Sequence, residues 1–402
     1  MKTDVIVIGG GAAGMGAAIA AAKEGVKVTL IEREEKTGGI LNQCIHNGFG
    51  LHYFKEELTG PEYAERLKKI LREYDIDIIT DFMVKEIKDK KVVGVFHDGV
   101  KEIEASSVVF TTGARERPFG ALMIPGDRPS GIFTAGVVQK FINIENRFPG
   151  KRALVLGSGD IGLIMARRLT LEGVKVVGVV ERMPYPGGLA RNIRQCLEDF
   201  DIPLYLSSTV IEVRGKERLE EVVVAKVDEK FKPVLGTEKI FKVDTLVLSA
   251  GLLPMVILVS DFAVLNSTSK GLATSNIGQS SVEWLFGAGN CTVVYDLVDY
   301  VTVEGERAGK FAAIYAKGEK LSEKIPVDPG ENVRVLHPRW YSKDDDLTIY
   351  ARVSKPMEKG KLLVGNYEKT LLNAKPSEMI VLKVPARYLE GFERIRVSVK
   401  EA

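Results

Sequence analysis

The chain has 402 residues, and at roughly 150 residues per domain this length favours two or three domains over a single core. Hydrophobic residues make up 45% and charged residues 27% of the sequence, a globular composition that excludes a disordered chain, a collagen and a coiled coil. The net charge of +2 gives no reason to expect a nucleic-acid partner, and three isolated cysteines (Cys44, Cys196, Cys291) exclude a disulfide scaffold and a cysteine-based iron–sulfur or zinc site within this chain alone.

The first 32 residues predict one βαβ unit. An apolar run, Val5 to Ile8, leads into a glycine-rich turn, an alanine-rich helical stretch and a second apolar run that ends in Glu32. Gly9, Gly11 and Gly14 give the spacing G-x-G-x-x-G directly after the first strand. A bound pyrophosphate needs such a tight turn with a bare backbone, and an acid at this distance hydrogen-bonds a ribose hydroxyl. The pattern therefore predicts a dinucleotide site.

The next part of the chain predicts an amphipathic helix at 61–74 and strands at 75–80, 91–96 and 108–112. Prolines and glycines between 118 and 131 then indicate a crossing into a second unit.

A second βαβ unit is predicted from residue 153 onwards. Gly157, Gly159 and Gly162 repeat the glycine spacing, and Glu181 ends the following apolar run. An acid at this position repels a 2′-phosphate, so NADH is favoured over NADPH, although Arg182 beside it weakens that preference. The alternative is a vestigial turn that no longer binds nicotinamide.

The remaining elements follow in order. A helical stretch runs through Cys196, strands are predicted at 203–213, 220–227, 245–250 and 284–290, and a long helix is predicted from Asn290 to about Lys317. Residues 318–330 are polar and predict a linker, and the last 70 or so residues alternate apolar and polar side chains, which predicts a small β domain. Within it, the charge run 343–346 predicts a solvated turn.

Two apolar stretches are too broken or too short to cross a membrane. Residues 5–22 contain five glycines, and residues 245–260 lie between two aspartates and contain Gly251 and Pro254. We expect no anchor or export signal, and a cytoplasmic protein.

These motifs together resemble the two-dinucleotide-binding-domain flavoproteins of the pyridine nucleotide-disulfide oxidoreductase superfamily. Residues 111–114 (Thr-Thr-Gly-Ala) are similar to that family's motif at the exit from the flavin domain, and residues 285–290 are similar to its later flavin motif, with Asn290 in place of Asp. The resemblance implies an α/β fold with two nested Rossmann-like domains and a small C-terminal β-rich domain. The expected boundaries are 1–117 and 246–325 for the FAD domain, 118–245 for the NAD(H) domain, and 331–402 for the C-terminal domain.

The resemblance also implies which residues bind the two cofactors. Residues expected at the FAD site are Gly9, Gly10, Gly11, Ala12, Ala13, Gly14, Glu32, Arg33, Gly38, Gly39, Asn42, Gln43, Thr112, Gly113, Ala114, Gly289 and Asn290. Residues expected at the NAD(H) site are Gly157, Gly159, Asp160, Ile161, Gly162, Glu181 and Arg182. No metal site is expected, because His52, His97 and His337 do not have the spacing of metal ligands.

Disulfide reductases of the family carry a cysteine pair either after a glycine doublet, which is Gly38-Gly39 in this chain, or in the nicotinamide domain. This chain has only one cysteine, Cys44, in the segment 39–50 that follows the doublet. A dithiol relay is therefore not expected. The family places this segment beside the isoalloxazine ring, which makes Cys44 and His46 the candidate catalytic residues. Cys44 is either a lone redox thiol or a small packing residue, and His46 either exchanges a proton or hydrogen-bonds local backbone.

Residues 41–51 resemble the FAD-binding subunits of multi-subunit dehydrogenases associated with glycerol-3-phosphate, dye-linked amino acids and hydrogen cyanide synthesis. The first interpretation is thus an FAD-dependent oxidoreductase subunit that exchanges hydride between NAD(H) and FAD. It would work in an oligomer with a partner dehydrogenase subunit, and with an iron–sulfur protein where one is needed. The second is a self-sufficient NADH oxidase, peroxidase or coenzyme A-disulfide reductase that uses Cys44 alone. The third is a scaffold subunit with a structural flavin and an empty nicotinamide site.

Overall fold

The computed structural model describes residues 1–401 and divides the chain into two compact units. One unit contains residues 1–114 together with the chain from Pro254 onwards, and the other contains residues 115–253. The chain crosses between them at two short strands, one near residue 115 and one near residue 253, which pair with each other.

The helices and strands alternate through both units and give way to strands alone at the C-terminus. The first part contains β1 (Lys2–Ile8), α1 (Ala12–Lys23), β2 (Val28–Ile31), β3 (Asn47–Phe49), β4 (Leu58–Thr59), α2 (Gly60–Leu71), β5 (Ile76–Ile79), β6 (Met83–Lys88), β7 (Lys91–Phe96), β8 (Gly99–Phe110) and β9 (Ala114–Glu116). The middle part contains β10 (Ile132–Thr134), α3 (Ala135–Asn143), β11 (Arg152–Leu156), α4 (Asp160–Leu171), β12 (Lys175–Val180), α5 (Ala190–Cys196), β13 (Leu204–Tyr205), β14 (Ser208–Arg214), β15 (Glu221–Lys226), β16 (Lys239–Lys242) and β17 (Thr245–Leu248). The last part contains β18 (Leu252–Pro254), β19 (Leu285–Gly287), α6 (Val298–Ala316), β20 (Ile325–Pro329), β21 (Val333–His337), β22 (Trp340–Tyr341), β23 (Leu347–Val353), β24 (Met357–Val364), β25 (Tyr367–Ala374), β26 (Ile380–Val384) and β27 (Ile395–Glu401).

The first unit is built on a seven-stranded sheet in the order β5-β2-β1-β8-β7-β6, with β19 paired to β8. Both faces of β1 are buried: Val5 and Val7 pack with α1, α2 and α6, whereas Ile6 and Ile8 pack in a second cluster on the other face. Burial on both faces explains why the central parallel strands are continuous apolar runs. The carboxyl ends of β1, β8 and β19 therefore meet at one edge of the sheet.

The second unit repeats this plan on a smaller scale. Its parallel sheet has the order β10-β17-β11-β12-β13, and a three-stranded antiparallel sheet, β14-β15-β16, completes it. In β11, Ala153 and Val155 pack with α3 and α4, whereas Leu154 and Leu156 pack with side chains of the three-stranded sheet.

The C-terminal strands form two sheets around one apolar core. The larger has the order β22-β20-β27-β24-β25, and the smaller has the order β21-β23-β26. The prediction of a linker at 318–330 is wrong for its second half, because β20 lies in the larger sheet and the Val327 side chain is fully buried in the core. We call residues 325–401 the C-terminal sandwich.

The long helix begins later than predicted. Residues 289–291 form a single 3₁₀ turn, and α6 starts only at Val298. In the intervening segment Val293 and Tyr295 are buried against Tyr350 of the C-terminal sandwich, and the β-branched Thr292, Val293 and Val294 lower its helix propensity. Among residues 1–401, no helix combines the length and apolar character that a membrane span requires.

Candidate functional site

The first glycine-rich turn joins β1 to α1. Gly9 has a φ of 105°, and a Cβ on Gly14 would lie 1.7 Å from the carbonyl oxygen of Gly9, so both positions require glycine. Gly11 is the N-cap of α1, and a Cβ there would meet no protein atom within 4 Å. Open space therefore borders the N-terminus of α1, whose unpaired N–H groups favour an anion.

Glu32 follows β2 and its carboxylate lies at this turn. The side chain is buried, its Oε2 accepts the N–H of Gly10 at 2.7 Å, and its Oε1 accepts the N–H of Glu34 at 3.0 Å. Each carboxylate oxygen keeps acceptor capacity for a further donor, such as a ribose hydroxyl. Arg33 is exposed and pairs with Glu34 at 3.4 Å.

The glycine doublet lies against the same turn. The N–H of Gly38 donates to the carbonyl of Gly10 at 2.7 Å, and a Cβ on Gly39 would lie 3.2 Å from the Cα of Gly11. A short 3₁₀ helix, Gly39–Gln43, follows, and the Asn42 amide within it donates to the carbonyl of Thr37 at 3.1 Å. The doublet, the turn and Glu32 are thus brought together.

Residues 111–114 and 289 reach the turn from β8 and β19. The Thr111 hydroxyl lies within hydrogen-bond distance of the carbonyls of Ile8 (2.8 Å) and Gly9 (3.0 Å). A Cβ on Gly289 would lie 2.9 Å from the Cβ of Ala13, which follows Ala12 in the first turn of α1.

Thr112 and Asn290, which follow Thr111 and Gly289 in the chain, each form a side-chain hydrogen bond to a backbone group. The Thr112 hydroxyl donates to the carbonyl of Met255 at 2.7 Å, Gly113 has a φ of 70°, and Ala114 begins β9. The Asn290 Oδ1 accepts the N–H of Tyr295 at 3.1 Å, so this oxygen is turned toward its own loop.

The second glycine-rich turn has the same geometry. Gly157 has a φ of 106°, a Cβ on Gly162 would lie 2.3 Å from the carbonyl oxygen of Gly157, and a Cβ on Gly159 would meet no protein atom within 4 Å. The Glu181 Oε2 accepts the N–H of Ser158 at 3.0 Å and its hydroxyl at 2.7 Å. The two turns, which share the glycine spacing G-x-G-x-x-G, thus also share one construction, which is the one a diphosphate requires.

A loop after Glu181 covers part of the second turn. The N–H of Gly187 donates to the Ser158 hydroxyl at 2.8 Å, and the N–H of Leu189 donates to the Asp160 carboxylate at 2.8 Å. Sequence reasoning missed this loop, although a signal exists: Gly187-Gly188 follows Glu181 at the spacing at which Gly38-Gly39 follows Glu32.

Two predicted residues of the second site lie beside this loop. The guanidinium carbon of Arg182 lies 5.0 Å from the centroid of the exposed Phe231 ring. Ile161 is half-buried in the first turn of α4.

Cys44 and His46 follow the 3₁₀ helix after the glycine doublet. The Cys44 thiol is half-buried and donates to the carbonyl of Ile40 at 3.2 Å, and the His46 ring centroid lies 5.0 Å from that of Phe49. None of the three cysteines forms a disulfide within the described chain. Burial raises the pKa of the Cys196 thiol to about 11 and that of the Cys291 thiol to about 12.

Asp299 is a positioning residue that sequence reasoning missed. It lies in the first turn of α6, is 2% exposed, and accepts the N–H groups of Tyr53 at 2.7 Å and His52 at 3.0 Å. Its carboxylate thereby fixes the chain just beyond Cys44 and His46. No local signal marks it, because the contact joins residues almost 250 positions apart.

Both turns fit the diphosphate of a dinucleotide, since each combines an open glycine face, a helix N-terminus and a buried or half-buried carboxylate. The described residues contain no group of three or more His, Cys, Asp or Glu side chains placed to hold a metal ion.

Residues 3–306 match the model of the pyridine nucleotide-disulphide oxidoreductase family. The chain is 28% identical to hydrogen cyanide synthase subunit HcnB of Pseudomonas aeruginosa over 63% of this chain and 58% of that protein. It is 25% identical to sarcosine oxidase subunit alpha of a Corynebacterium species over 85% of this chain and 35% of that protein. The chain therefore spans about three-fifths and one-third of the length of these two relatives.

Among solved structures, thioredoxin reductase of T. acidophilum superposes with a TM-score of 0.64 at 20% identity, covering 79% of this chain and 99% of that one. This likeness confirms the α/β fold with nested dinucleotide-binding domains that the sequence predicted. With three quarters of its residues matched by the family model, the chain belongs to the pyridine nucleotide-disulphide oxidoreductase family.

Proposed function

We propose that the chain is the FAD- and NAD(H)-binding subunit of a multi-subunit dehydrogenase and exchanges hydride between its two cofactors. One observation carries this proposal: two glycine-rich turns of the same construction occur in a chain whose three cysteines form no pair. We assign FAD to the unit that contains Gly11 and NAD(H) to residues 115–253.

When bound, the cofactors supply the hydride chemistry, between nicotinamide C4 and flavin N5. The residues of this chain bind and orient them. Gly11 and Gly159 leave room for the diphosphates, and Glu32 and Glu181 accept ribose hydroxyls. Glu181 disfavours a 2′-phosphate, so we propose NADH as the nicotinamide cofactor.

The proposed organic substrate is bound by a partner subunit. Two relatives of this chain are themselves named as subunits, one of hydrogen cyanide synthase and one of sarcosine oxidase. A dehydrogenase of the glycerol-3-phosphate or amino-acid type is the proposed partner, with an iron–sulfur protein where electrons have to travel further. Thiols without a disulfide fit a reducing cytoplasm, which is the proposed location.

In this proposal Cys44 packs beside the flavin and carries no redox step, and His46 is the candidate proton donor. A Cys44→Ser variant should therefore retain anaerobic reduction of its flavin by NADH at the wild-type rate, followed by absorbance near 450 nm. Loss of turnover with a peroxide or disulfide acceptor in this variant would favour a self-sufficient thiol enzyme instead.

The decisive measurement uses the full-length protein. We expect a yellow protein that retains FAD, that NADH bleaches in the absence of oxygen, and that is purified from its native cells together with a dehydrogenase subunit. A folded chain that stays colourless after incubation with FAD would contradict the proposal. A flavin that NADH does not bleach would favour the scaffold interpretation.

A further inference from the structure

A cleft of about 730 Å³ opens on the 115–253 unit, away from its glycine-rich turn. Arg152 and Lys175, which line it, are the first residues of β11 and β12. Gly157 follows the opposite end of β11, so the cleft and the dinucleotide turn lie at opposite ends of the same parallel strands. The other wall of the cleft is β16.

Four exposed cations border this cleft. Arg152, Lys175, Lys239 and Lys242 have no carboxylate within 4.0 Å among the residues that the structure describes. Lys239 is held in place, since its Nζ donates to the Tyr205 hydroxyl at 3.2 Å and lies 4.6 Å from the centroid of that ring. The cleft thus combines cations that have no carboxylate partner with apolar lining residues such as Val176, Val177 and Ile240.

The wall formed by β16 is the open edge of a sheet. β16 is the last strand of the order β14-β15-β16. The N–H of Val243, just after β16, points toward β15 and donates to the carbonyl of Glu220, the residue before β15. Because hydrogen bonds alternate along an antiparallel strand, the backbone groups of Ile240 and Lys242 point away from β15. The carbonyl of Lys242 indeed accepts the Nε of Arg152 on that side, at 2.6 Å.

We propose that this cleft binds an extended acidic segment of the partner subunit, which adds as a strand to the edge of β16. Alternate acidic side chains of such a strand would meet the four cations, and its apolar side chains would cover the half-exposed Ile240. The inference rests on the proposed function for the existence of a partner, and it specifies where and by what chemistry that partner is recognised.

The cleft favours a peptide over a nucleic acid. Asp201 and Glu221 also line it and would repel a continuous row of phosphates, whereas a peptide can place its acids beside the cations alone. The outward N–H and C=O of Ile240 are matched by the backbone of a strand and not by a sugar–phosphate chain.

The test uses the full-length holoprotein and a fluorescein-labelled ten-residue peptide of alternating Glu and Val, followed by fluorescence anisotropy. We expect saturable binding that weakens as salt is raised from 50 to 500 mM, and about tenfold weaker binding by a K239E/K242E variant. The matched control is K359E/K369E, which reverses two exposed lysines on β24 and β25 and should bind like the wild type.

A second variant tests strand addition itself. Ile240→Pro removes an outward N–H without changing charge, and should weaken the peptide to a similar extent while thermal unfolding shows a folded protein. The inference is overturned if the peptide does not bind, if K239E/K242E or Ile240→Pro leaves its affinity unchanged, or if a Lys–Val peptide or a polyphosphate of equal length binds as tightly. NADH-driven bleaching of the flavin should be the same in all of these proteins, so loss of bleaching in the wild type would contradict the proposed function separately.

Discussion

Gly11 and Gly159 occupy equivalent positions at the N-termini of α1 and α4, with ordinary negative φ angles and no protein atom within 4 Å of an added Cβ. Alanine at either position should leave the protein folded but place a methyl group in the space proposed for a diphosphate. We expect Gly11→Ala to lose FAD and Gly159→Ala to retain FAD while the KM for NADH rises at least about tenfold. Flavin absorbance and steady-state kinetics measure the two effects. If both variants lost the same cofactor, the assignment of one cofactor to each turn would be wrong.

The three thiols should differ sharply in reactivity. With pKa values raised to about 11 and about 12, Cys196 and Cys291 are thiolates only about one part in a thousand or less at pH 8, and both are buried. Cys44 is half-buried. Titration with dithionitrobenzoate should therefore detect one thiol in the native wild type and none in native Cys44→Ser. In urea the wild type should show three thiols. Two or more reactive thiols in the native wild type would contradict this expectation.

Among single residues, the sequence predicted those whose contacts lie within one βαβ unit. The glycines and Glu32 are recognisable because a turn and its acid lie within one βαβ unit, so their spacing is visible in the chain. Asp299 is not recognisable, since its role depends on a contact with Tyr53 that only the folded chain creates. The same holds for Asp345, which was expected in a solvated turn but pairs with Arg307 of α6 at 3.0 Å.

The helices α1 and α6 cross in close backbone contact. A Cβ on Gly305 would lie 2.1 Å from the carbonyl oxygen of Ala13, and a Cβ on Gly309 would lie 2.0 Å from that of Ala17. Both near atoms are backbone, so a side chain can be accommodated only if the helices separate. Since α1 begins at the first glycine-rich turn and α6 follows Gly289 and Asn290, this crossing positions two parts of the proposed flavin site.

We expect Gly309→Ala to lower the free energy of unfolding by about 3 kcal/mol and to weaken FAD retention, because overpacking a backbone contact cannot be relieved by a rotamer change. Urea unfolding followed by circular dichroism measures the first effect. The control is Gly120→Ala, where φ is negative and no atom lies within 4 Å of an added Cβ, so a change below about 0.5 kcal/mol is expected. A similar loss in both variants would mean that the helix crossing is not the cause.

Among the helices and strands, the sequence predicted those that are marked by an apolar or amphipathic pattern of their own residues. Continuous apolar runs indicated β1, β11 and β17, and the amphipathic pattern indicated α2. The start of α6 and the strand β20 were predicted incorrectly, since each is set by packing against the C-terminal sandwich. Local polarity at 318–330 does not reveal a strand whose partner, β27, lies at the other end of the domain.

On the scale of the whole molecule, a buried ionic cluster joins α6 to the C-terminal sandwich. Glu304 of α6 is 5% exposed, and its carboxylate accepts hydrogen bonds from Arg307 at 2.7 Å and from the Tyr350 hydroxyl at 3.0 Å. The His337 Nε2 lies 3.6 Å away. Burial alone would raise the pKa of the Glu304 carboxyl, but Arg307 and then His337 outweigh it, so the pKa lies below its ordinary value.

This direction determines the effect of pH. A carboxyl whose pKa is lowered on folding stabilises the native state above its ordinary pKa, and that contribution is lost as the pH falls through the lowered value. We expect Glu304→Gln to cost about 3 kcal/mol at pH 7, because Arg307 then loses one of its two carboxylate partners. The difference from the wild type should shrink as the pH falls below about 4.5, the ordinary pKa of a glutamate carboxyl. Urea unfolding at several pH values measures it, with the exposed Glu358→Gln as control. A difference independent of pH would contradict the assignment.

Residues 115–253 form an insertion whose two junctions, β9 and β18, pair with each other, and they contribute no strand to the seven-stranded sheet. Joining the two ends with a short loop would therefore leave every hydrogen bond between the strands of the seven-stranded sheet in place. The chain is in this sense modular: one continuous segment interrupts the fold of the first unit without supplying a strand to its main sheet.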